Sequence, residues 1–329
     1  MLLYPWHQVH WRTLQQRIAA QRLPHALLFS GQAGLGKLDF ARLLAHSLLC
    51  EQVDAKGLYC GQCNSCRLFA AQTHPDFQPV QPESEGKDIV IAQIRELLDW
   101  QAKTPQYGRA KVVIIEPADR MNINAANALL KTLEEPADRA LLILISDRPS
   151  SLLPTIRSRC QQLPFIAQPQ AEVLPWLVGE LGDENQARLL LSISAGAPLR
   201  ALKLSKTDYL QRRAAFLDDF AALLNGDKEP ISLAAEWLKH ALPELLTLLH
   251  SWYIDMARLA VQGSAAQLEH PDLRKYLQAL SERVDLAEIL RRQQQLQEAL
   301  QRLFGHPNPS LLLEELLLGW SNPPKKLPR

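Results

Sequence analysis

The sequence predicts a parallel α/β domain followed by a region made only of helices. Three short apolar runs carry the first part of this prediction: ALLFS at 26–30, KVVIIEP at 111–117 and ALLILIS at 140–146. Continuous apolar runs that alternate with helical stretches are typical of strands buried on both faces of a doubly wound parallel sheet. The strand pattern ends after about residue 165, and the Leu-rich helical periodicity beyond it predicts an all-α region.

The helices of the α/β domain are predicted from apolar spacing and from residues that begin or end a helix. An amphipathic segment from about Leu38 to Leu49 follows the first apolar run. A second helix is predicted over 88–102 with Asp88 as its N-cap, and a third over 122–135, which Pro136 ends. Such helices supply the crossover connections that parallel strands need.

The chain is predicted to contain three domains. The α/β domain covers 1–165, a small helical domain covers 166–206, and a larger helical domain covers 207–329. The tail NPPKKLPR at 322–329 is predicted to be disordered.

The larger helical domain has clear helix signals. One helix is predicted over 207–225, with Thr207 as its N-cap and Gly226 just past its end. The Leu- and Gln-rich stretch 286–303 and the segment PSLLLEELLLGW at 309–320 have the same helical character. We expect their Leu-rich faces to be buried within a helical bundle or against a partner.

Composition excludes several classes of protein. The net charge of +1 gives no global attraction for nucleic acid or for a membrane surface, so any DNA contact must be local or shared with a partner. No apolar run approaches the ~20 residues that span a bilayer. The first residues also lack a charged stretch followed by an apolar one, so we expect no secretory signal and a cytoplasmic protein.

The stretch GQAGLGK at 31–37 has the spacing of a phosphate-binding loop between a strand and a helix. Gly31 and Gly36 would let backbone N–H groups face phosphate, and Lys37 would neutralise phosphate oxygens. Leu38 stands where the pattern requires a Ser or Thr hydroxyl for magnesium. We therefore expect a degenerate loop that binds ATP weakly or not at all; the alternative is a glycine-rich turn that binds nothing.

The residues at the end of the second apolar run show whether the sequence has the acidic pair that ATP hydrolysis requires. A working ATPase needs an acidic pair there, one carboxylate for magnesium and one to polarise water. This chain has Glu116 followed by Pro117, which offers no base, and Asp119 is expected to cap the next helix. Two parts of the hydrolytic machinery are therefore missing from the sequence.

Four of the five cysteines lie in one segment, in the spacing C-x9-C-x2-C-x2-C. Cys50, Cys60, Cys63 and Cys66 suit a structural zinc site, and four thiolates leave no open position for catalysis. Disulfides and an iron–sulfur site are the alternatives, but nothing indicates an oxidising compartment and the ferredoxin spacing is absent. The fifth, Cys160, is expected to be a small buried packing residue.

Several motifs together resemble one known family. They are PHALLFSGQAGLGK at 24–37, the four-cysteine segment, THPDF at 73–77, IRELL at 94–98, NALLKTLEEP at 127–136 and IRSRC at 156–160. These motifs resemble the AAA+ clamp-loader family of bacterial DNA polymerase III. The likeness is specific up to about residue 205, and beyond it rests on helical character and the closing NPSLLLEELLLGW.

The resemblance implies an AAA+ domain with a zinc module, a small helical lid and a C-terminal collar that oligomerises. It implies a non-hydrolysing subunit of a hetero-oligomer that loads the sliding clamp onto primed DNA in DNA replication, with no membrane partner. The implied partners are the gamma/tau motor and delta subunits, and the clamp and primed DNA through the complex. The LLKTLEEP helix, with Lys131, Glu134 and Glu135, would lie in a subunit interface, although in isolation it resembles a solvated face.

The resemblance also assigns roles to individual residues. Arg159 would be an arginine finger that acts in trans on ATP held by a neighbouring subunit, and Arg157 would be structural. Ser146 occupies the sensor-1 position. Leu199 occupies the slot of the sensor-2 arginine, and Arg200 follows one residue late, which again argues against an ATPase site in this chain.

Two other functions remain open on the sequence alone. An autonomous ATPase motor would have to hydrolyse ATP despite Leu38 and Pro117. A zinc-containing adaptor would hold partners together without any role for Arg159.

Overall fold

The computed structural model describes residues 3–84, 86–107, 110–303 and 308–320. The tail at 322–329, predicted to be disordered, lies outside these ranges. Within them, no helix combines the length and the apolar character that crossing a membrane requires.

The chain divides into two compact units. The first comprises Met1–Trp176 together with Ala197–Arg200, and the second comprises Leu177–Gly196 together with Ala201–Arg329. The division into three domains stays a prediction.

Five parallel strands form one sheet in the first unit. They are β1 Ala26–Ser30, β2 Phe77–Val80, β3 Lys111–Ile115, β4 Ala140–Ser146 and β5 Gln161–Pro164, in the order β2-β3-β4-β1-β5. The three predicted apolar runs are the three central strands. The sequence missed β2 and β5 because these edge strands are short and partly exposed, so neither has a continuous apolar pattern.

Six α-helices lie wholly within the described residues of the first unit. They are α1 Gln8–Ala19, α2 Lys37–Leu49, α3 Asn64–Ala70, α4 Ile91–Gln101, α5 Ile123–Glu134 and α6 Pro154–Arg159. Helices cover both faces of the sheet, which explains why the runs are continuously apolar. On β4, Leu141 packs in one apolar cluster with Phe40 of α2, whereas Leu142 packs in another with Leu129 of α5.

Two predicted caps in this unit are wrong. Asp88 does not cap α4, because the helix begins three residues later with Val90 at its N-cap, and Asp88 instead forms an ion pair with Arg120 at 3.1 Å. Asp119 does not cap α5, because Asn122 accepts the N–H of Ala125 there at 2.8 Å.

The second unit is helical. Its helices are α7 Gln170–Leu181, which starts in the first unit, α8 Glu184–Ile193, α9 Pro198–Ser205, which also begins there, α10 Tyr209–Asn225, α11 Pro230–Trp237, α12 Leu242–Gln262, α13 Arg274–Ser281, α14 Leu286–Arg302 and α15 Pro309–Trp320. The long α12 packs against α13 and α14, and its Trp252 shares one core with Trp237 and Trp320. The predicted fold class, a parallel α/β sheet followed by helices, is confirmed.

The start of α10 differs from the prediction, and its end agrees with it. Thr207 is not the N-cap: its hydroxyl donates to the carbonyl of Leu204, and Asp208 precedes the helix. Gly226 ends the helix with φ +82°, in the left-handed region that glycine adopts at low cost.

The strand register brings the candidate site together. Ser30 of β1 pairs with Ser146 of β4, and Ile115 of β3 pairs with Leu144 of β4. The loops that leave the carboxyl ends of these strands therefore lie side by side, at the edge where parallel sheets bind ligands.

Candidate functional site

The loop between β1 and α2 needs glycine for packing as well as for conformation. Gly31 donates its N–H to the carbonyl of Ser146 at 3.2 Å, and a Cβ on Gly31 would lie 2.0 Å from the carbonyl oxygen of Phe165. Gly36 has φ +84° just before the first residue of α2. These contacts give the loop the strand–turn–helix form that its sequence predicts.

The ammonium of Lys37 is satisfied from within the protein. Its Nζ donates to the carbonyl oxygens of Gly31 at 2.6 Å and Gln32 at 2.7 Å, and it lies 2.6 Å from a carboxylate oxygen of Asp147. The lysine side chain is only 4% exposed. Since an ammonium has three donors, these three acceptors complete its hydrogen bonding without a phosphate.

Leu38, Glu116 and Pro117 occupy the other positions that ATP hydrolysis would use. Leu38 is half-buried against the apolar cluster around α2 and has no hydroxyl to offer a metal. Glu116 is half-buried, and burial raises the pKa of its carboxyl group. Gln81 Nε2 donates to this carboxyl group at 3.4 Å, and Pro117 follows Glu116 without an ionisable group.

Ser146, which the resemblance assigns to the sensor-1 position, belongs to an internal hydrogen-bond network. Its hydroxyl donates to Asp119 at 2.8 Å, and Arg148 donates to the other oxygen of the same carboxylate at 3.1 Å. Asp119 also accepts the N–H of Asp147 at 3.2 Å, so this network fixes the residue that neutralises Lys37.

Aromatic side chains of the N-terminal segment pack on the outside of the loop. Trp6 Nε1 donates to the carbonyl of Leu35 at 3.0 Å, and His7 Nε2 lies 2.8 Å from the same oxygen. Burial lowers the pKa of His7 to about 4, so the ring is neutral at pH 7 and its Nε2–H is the donor. Tyr4 stacks on Trp6, and Trp176 meets both rings edge-on.

Leu199 and Arg200, at the position that the resemblance assigns to sensor-2, also pack against the loop. Leu199 donates its N–H to the carbonyl of Gly34 at 3.0 Å. A Cβ on Gly34 would lie 2.6 Å from Cβ of Arg200, so the backbone of this segment sits directly on the loop.

The four predicted ligand cysteines come together. The sulfurs of Cys50, Cys60, Cys63 and Cys66 lie within 4.8 Å of one another, and three of the separations are 3.5, 3.9 and 4.0 Å. Tetrahedral Zn–S bonds of about 2.3 Å would place the sulfurs roughly 3.8 Å apart. The four thiols could therefore hold one metal ion.

Backbone N–H groups favour the thiolate form of Cys60. The N–H groups of Gln62 and Cys63 donate to Cys60 Sγ, each at 3.4 Å, and lower the pKa of this thiol to about 6. Burial raises the pKa of Cys66, whose deprotonation would need a nearby cation. Metal binding and deprotonation are thus coupled in this cluster.

The THPDF motif anchors the cysteine segment to the sheet edge. Buried His74 lies 2.9 Å from the hydroxyl of Ser65 on α3, which itself donates to the carbonyl of Leu49. The carboxylate of Asp76 accepts the N–H groups of Gln106 and Tyr107, both at 2.8 Å. These residues have a structural role.

Cys160 lies apart from the four clustered cysteines. It is buried in the apolar cluster that contains Leu129 of α5 and Ile156 of α6, as predicted.

Arg159 is the last residue of α6 and is partly exposed. One terminal nitrogen lies 2.6 Å from a carboxylate oxygen of Glu134, and the other donates to the carbonyl of Thr155 at 3.1 Å. Arg157 is also half-buried, and its buried Nε has no hydrogen-bond partner among the described residues.

Comparisons with known proteins agree over both units. Residues 6–169 match the family described as "DNA polymerase III, delta subunit", and residues 207–322 match "DNA polymerase III, delta subunit, C terminal". The chain is 39% identical over 326 residues to DNA polymerase III subunit delta' of Pseudomonas aeruginosa, covering 98% of each chain. The chain belongs to the DNA polymerase III subunit delta' family.

Other relatives carry the same or a related name. The delta' subunit of Haemophilus influenzae is 36% identical over 219 residues, which is 66% of each chain. DNA polymerase III subunit tau of Salmonella typhimurium is 32% identical over 268 residues, covering 72% of this chain and 41% of the relative.

The sequence analysis of this delta' family member did not identify the residues that contact the loop 31–37 from elsewhere in the chain. Asp147 follows the predicted strand 140–146, so its position at the carboxyl end of β4 was available from the sequence. The packing of Trp6 and His7 on Leu35 joins residues almost thirty positions apart, and no periodic pattern predicts such a contact.

We predict that Lys37→Ala destabilises the protein without changing nucleotide binding. The substitution removes the ammonium and leaves the two carbonyl oxygens and the Asp147 carboxylate without this donor. The free energy of unfolding should therefore fall by about 1–3 kcal/mol. Urea unfolding measures the stability, and calorimetric titration with ATP measures binding; Lys56→Ala, at an exposed lysine, is the control. Unchanged stability together with lost ATP binding would contradict this reading of the loop.

Proposed function

We propose that this chain is a clamp-loader subunit that does not hydrolyse ATP and that provides Arg159 to ATP bound by a neighbouring subunit. The observation that carries the proposal is a contrast within one unit: Lys37 is neutralised internally, whereas Arg159 is partly exposed at a helix end. The names of the relatives support a place in DNA polymerase III.

The state of the loop supports the absence of hydrolysis. A bound triphosphate would have to displace Asp147 from Lys37, and Leu38 would still give magnesium no ligand. Pro117 provides no base for the attacking water. ATP is therefore expected to bind this loop weakly or not at all.

The chemistry of Arg159 suits a role in trans. A guanidinium stays charged and presents a planar fork of donors that matches phosphate oxygens. In a neighbouring site it would stabilise the charge that develops on the transferred phosphoryl group. Because such a finger acts on another chain, it does not depend on this chain's own loop.

We propose zinc as the metal of the cysteine cluster. Four thiolate ligands at tetrahedral spacing suit Zn²⁺, and they leave no position for a substrate or water. The zinc would cross-link the four cysteines between the end of α2 and α3, and so would have a structural role.

We propose that the C-terminal helices form the collar of the hetero-oligomer, next to a small lid domain at 166–206. Leu286, Leu290 and Leu311 are 38%, 47% and 63% exposed, so α14 and α15 present apolar surface outside their core. The partners would be the gamma/tau motor and delta subunits. The sliding clamp and primed DNA would be reached through the complex, since this chain's net charge is only +1.

Arg159→Ala should slow the reconstituted complex without disturbing its assembly. Arginine fingers supplied in trans are worth about 10³–10⁵ in rate in GTPases. The loss should be smaller here, because other sites in a ring keep their own fingers. The measurement is clamp-dependent, DNA-stimulated ATP hydrolysis, with the native mass of the complex checked in parallel.

Two variants serve as controls for Arg159. Arg159→Lys should rescue poorly, because an ammonium keeps the charge but loses the planar fork. Arg157→Ala should cost stability more than turnover, since the Nε of Arg157 is buried within the fold. If Arg159→Ala complexes hydrolyse ATP and load clamps at the unmodified rate, the finger role is wrong and the adaptor function gains support.

The purified chain should contain about one zinc ion. Cys63→Ser should lose the metal and lower the melting temperature together, because metal binding and folding of the segment are linked. Cys160→Ala, which lies outside the cluster, should keep the zinc. Metal analysis decides the question, and full zinc occupancy after replacing both Cys60 and Cys63 would exclude the assignment.

The double variant Leu290→Asp, Leu311→Asp should remain folded but fail to enter the complex. Charges at exposed apolar positions cost little in the free chain and much in a desolvated interface. Circular dichroism reports folding, and native mass spectrometry with the motor and delta subunits reports assembly. Gln297→Asp, also exposed on α14, is the control. Normal assembly of the double variant would place the interface elsewhere.

A further inference from the structure

The ion pair between Glu134 and Arg159 links the proposed finger, at the end of α6, to the end of α5. Glu134 is the last residue of α5, and Arg159 is the last residue of α6. The carboxylate and a terminal guanidinium nitrogen lie 2.6 Å apart, with side-chain exposures of 51% and 35%. The end of α5 is itself tied to the fold, since His25 Nε2 lies 3.1 Å from the carbonyl of Leu133.

Local helix electrostatics do not explain a glutamate at this position. A negative side chain in the last turn of a helix faces the negative end of the helix dipole, which is unfavourable. Exposed ion pairs also contribute little to stability, because water and salt screen them. The pair therefore has more effect on where the guanidinium lies than on how stable the fold is.

The contacts fix the plane of the guanidinium and leave donors available. Arg159 has five N–H donors. One terminal nitrogen faces Glu134 and the other donates to Thr155, so two donors are used by these contacts. The other three donors have no partner among the described residues and are available to an incoming phosphate.

We propose that Glu134 is a positioning residue for Arg159: it holds the guanidinium in the orientation from which it enters the neighbouring nucleotide site. This inference rests on the proposed trans role of Arg159. Ordering a long side chain before binding saves conformational entropy that would otherwise oppose the transition state. The half-exposed ion pair is weak. The guanidinium can therefore exchange its contact with the Glu134 carboxylate for a contact with a phosphate oxygen when the subunits close.

The test is a double-mutant cycle in the reconstituted complex. Glu134→Ala should lower the kcat of clamp- and DNA-stimulated ATP hydrolysis by about 2- to 10-fold, the range expected for ordering one side chain. KM for ATP should change little, because a finger acts in the transition state. In an Arg159→Ala background, Glu134→Ala should have no further effect.

The control variants separate positioning from a general loss of structure. Glu180→Ala removes an exposed glutamate from the last turn of α7, outside the proposed interface, and should leave kcat unchanged. Glu134→Gln keeps an oxygen acceptor and should fall between the wild type and Glu134→Ala. If Glu134→Ala acted only by weakening the interface, its effect would persist in the Arg159→Ala background, and the inference would be wrong.

Failure of this inference is distinguishable from failure of the proposed function. If Arg159→Ala slows hydrolysis but Glu134→Ala leaves it unchanged or raises it, Glu134 does not position the finger, although the trans role stands. If Arg159→Ala has no effect, the proposed function itself is wrong and this inference is wrong with it.

Discussion

The internal neutralisation of Lys37 is the constraint on which the account of this site depends. A buried ammonium without partners would be costly, so a loop with this lysine must provide acceptors or bind an anion. Here the carbonyls of Gly31 and Gln32 and the carboxylate of Asp147 provide them. The loop keeps the shape of a phosphate site while its charge is already balanced.

That balance depends on the whole edge of the parallel sheet. Asp147 follows β4, and its backbone N–H is held by Asp119, which in turn accepts from Ser146 and Arg148. Ser146 and Arg148 therefore help to fix the carboxylate that neutralises Lys37. Arg159 belongs to a different part of the same unit, at the end of α6, and its guanidinium is partly exposed beside the half-exposed Glu134. The two basic residues differ in burial and in how many of their donors internal contacts use, and this difference separates a structural lysine from a proposed functional arginine.

The sequence predicted the central elements because their patterns are strong and local. Runs that are apolar on both faces identify buried strands, and the cysteine spacing identified a cluster whose sulfurs do meet. Edge strands β2 and β5 escaped because partial exposure removes the pattern. The caps at Asp88 and Asp119 were wrong because both carboxylates find arginine partners from elsewhere in the fold. The ion pairs of Lys37 and Arg159 join residues far apart in sequence, so only the three-dimensional fold reveals them.

The most direct test of the central claim is a cryo-EM structure of the reconstituted clamp loader with a non-hydrolysable ATP analogue. The measured quantities are the distance from the Arg159 guanidinium to the γ-phosphate on the neighbouring subunit, and the occupant of the loop from Gly31 to Lys37. The account predicts hydrogen-bond distance to the neighbour's phosphate, and Lys37 still paired with Asp147 in a loop without nucleotide. Nucleotide bound in this chain's own loop with Lys37 on its phosphates, and Arg159 remote from any neighbouring phosphate, would contradict it.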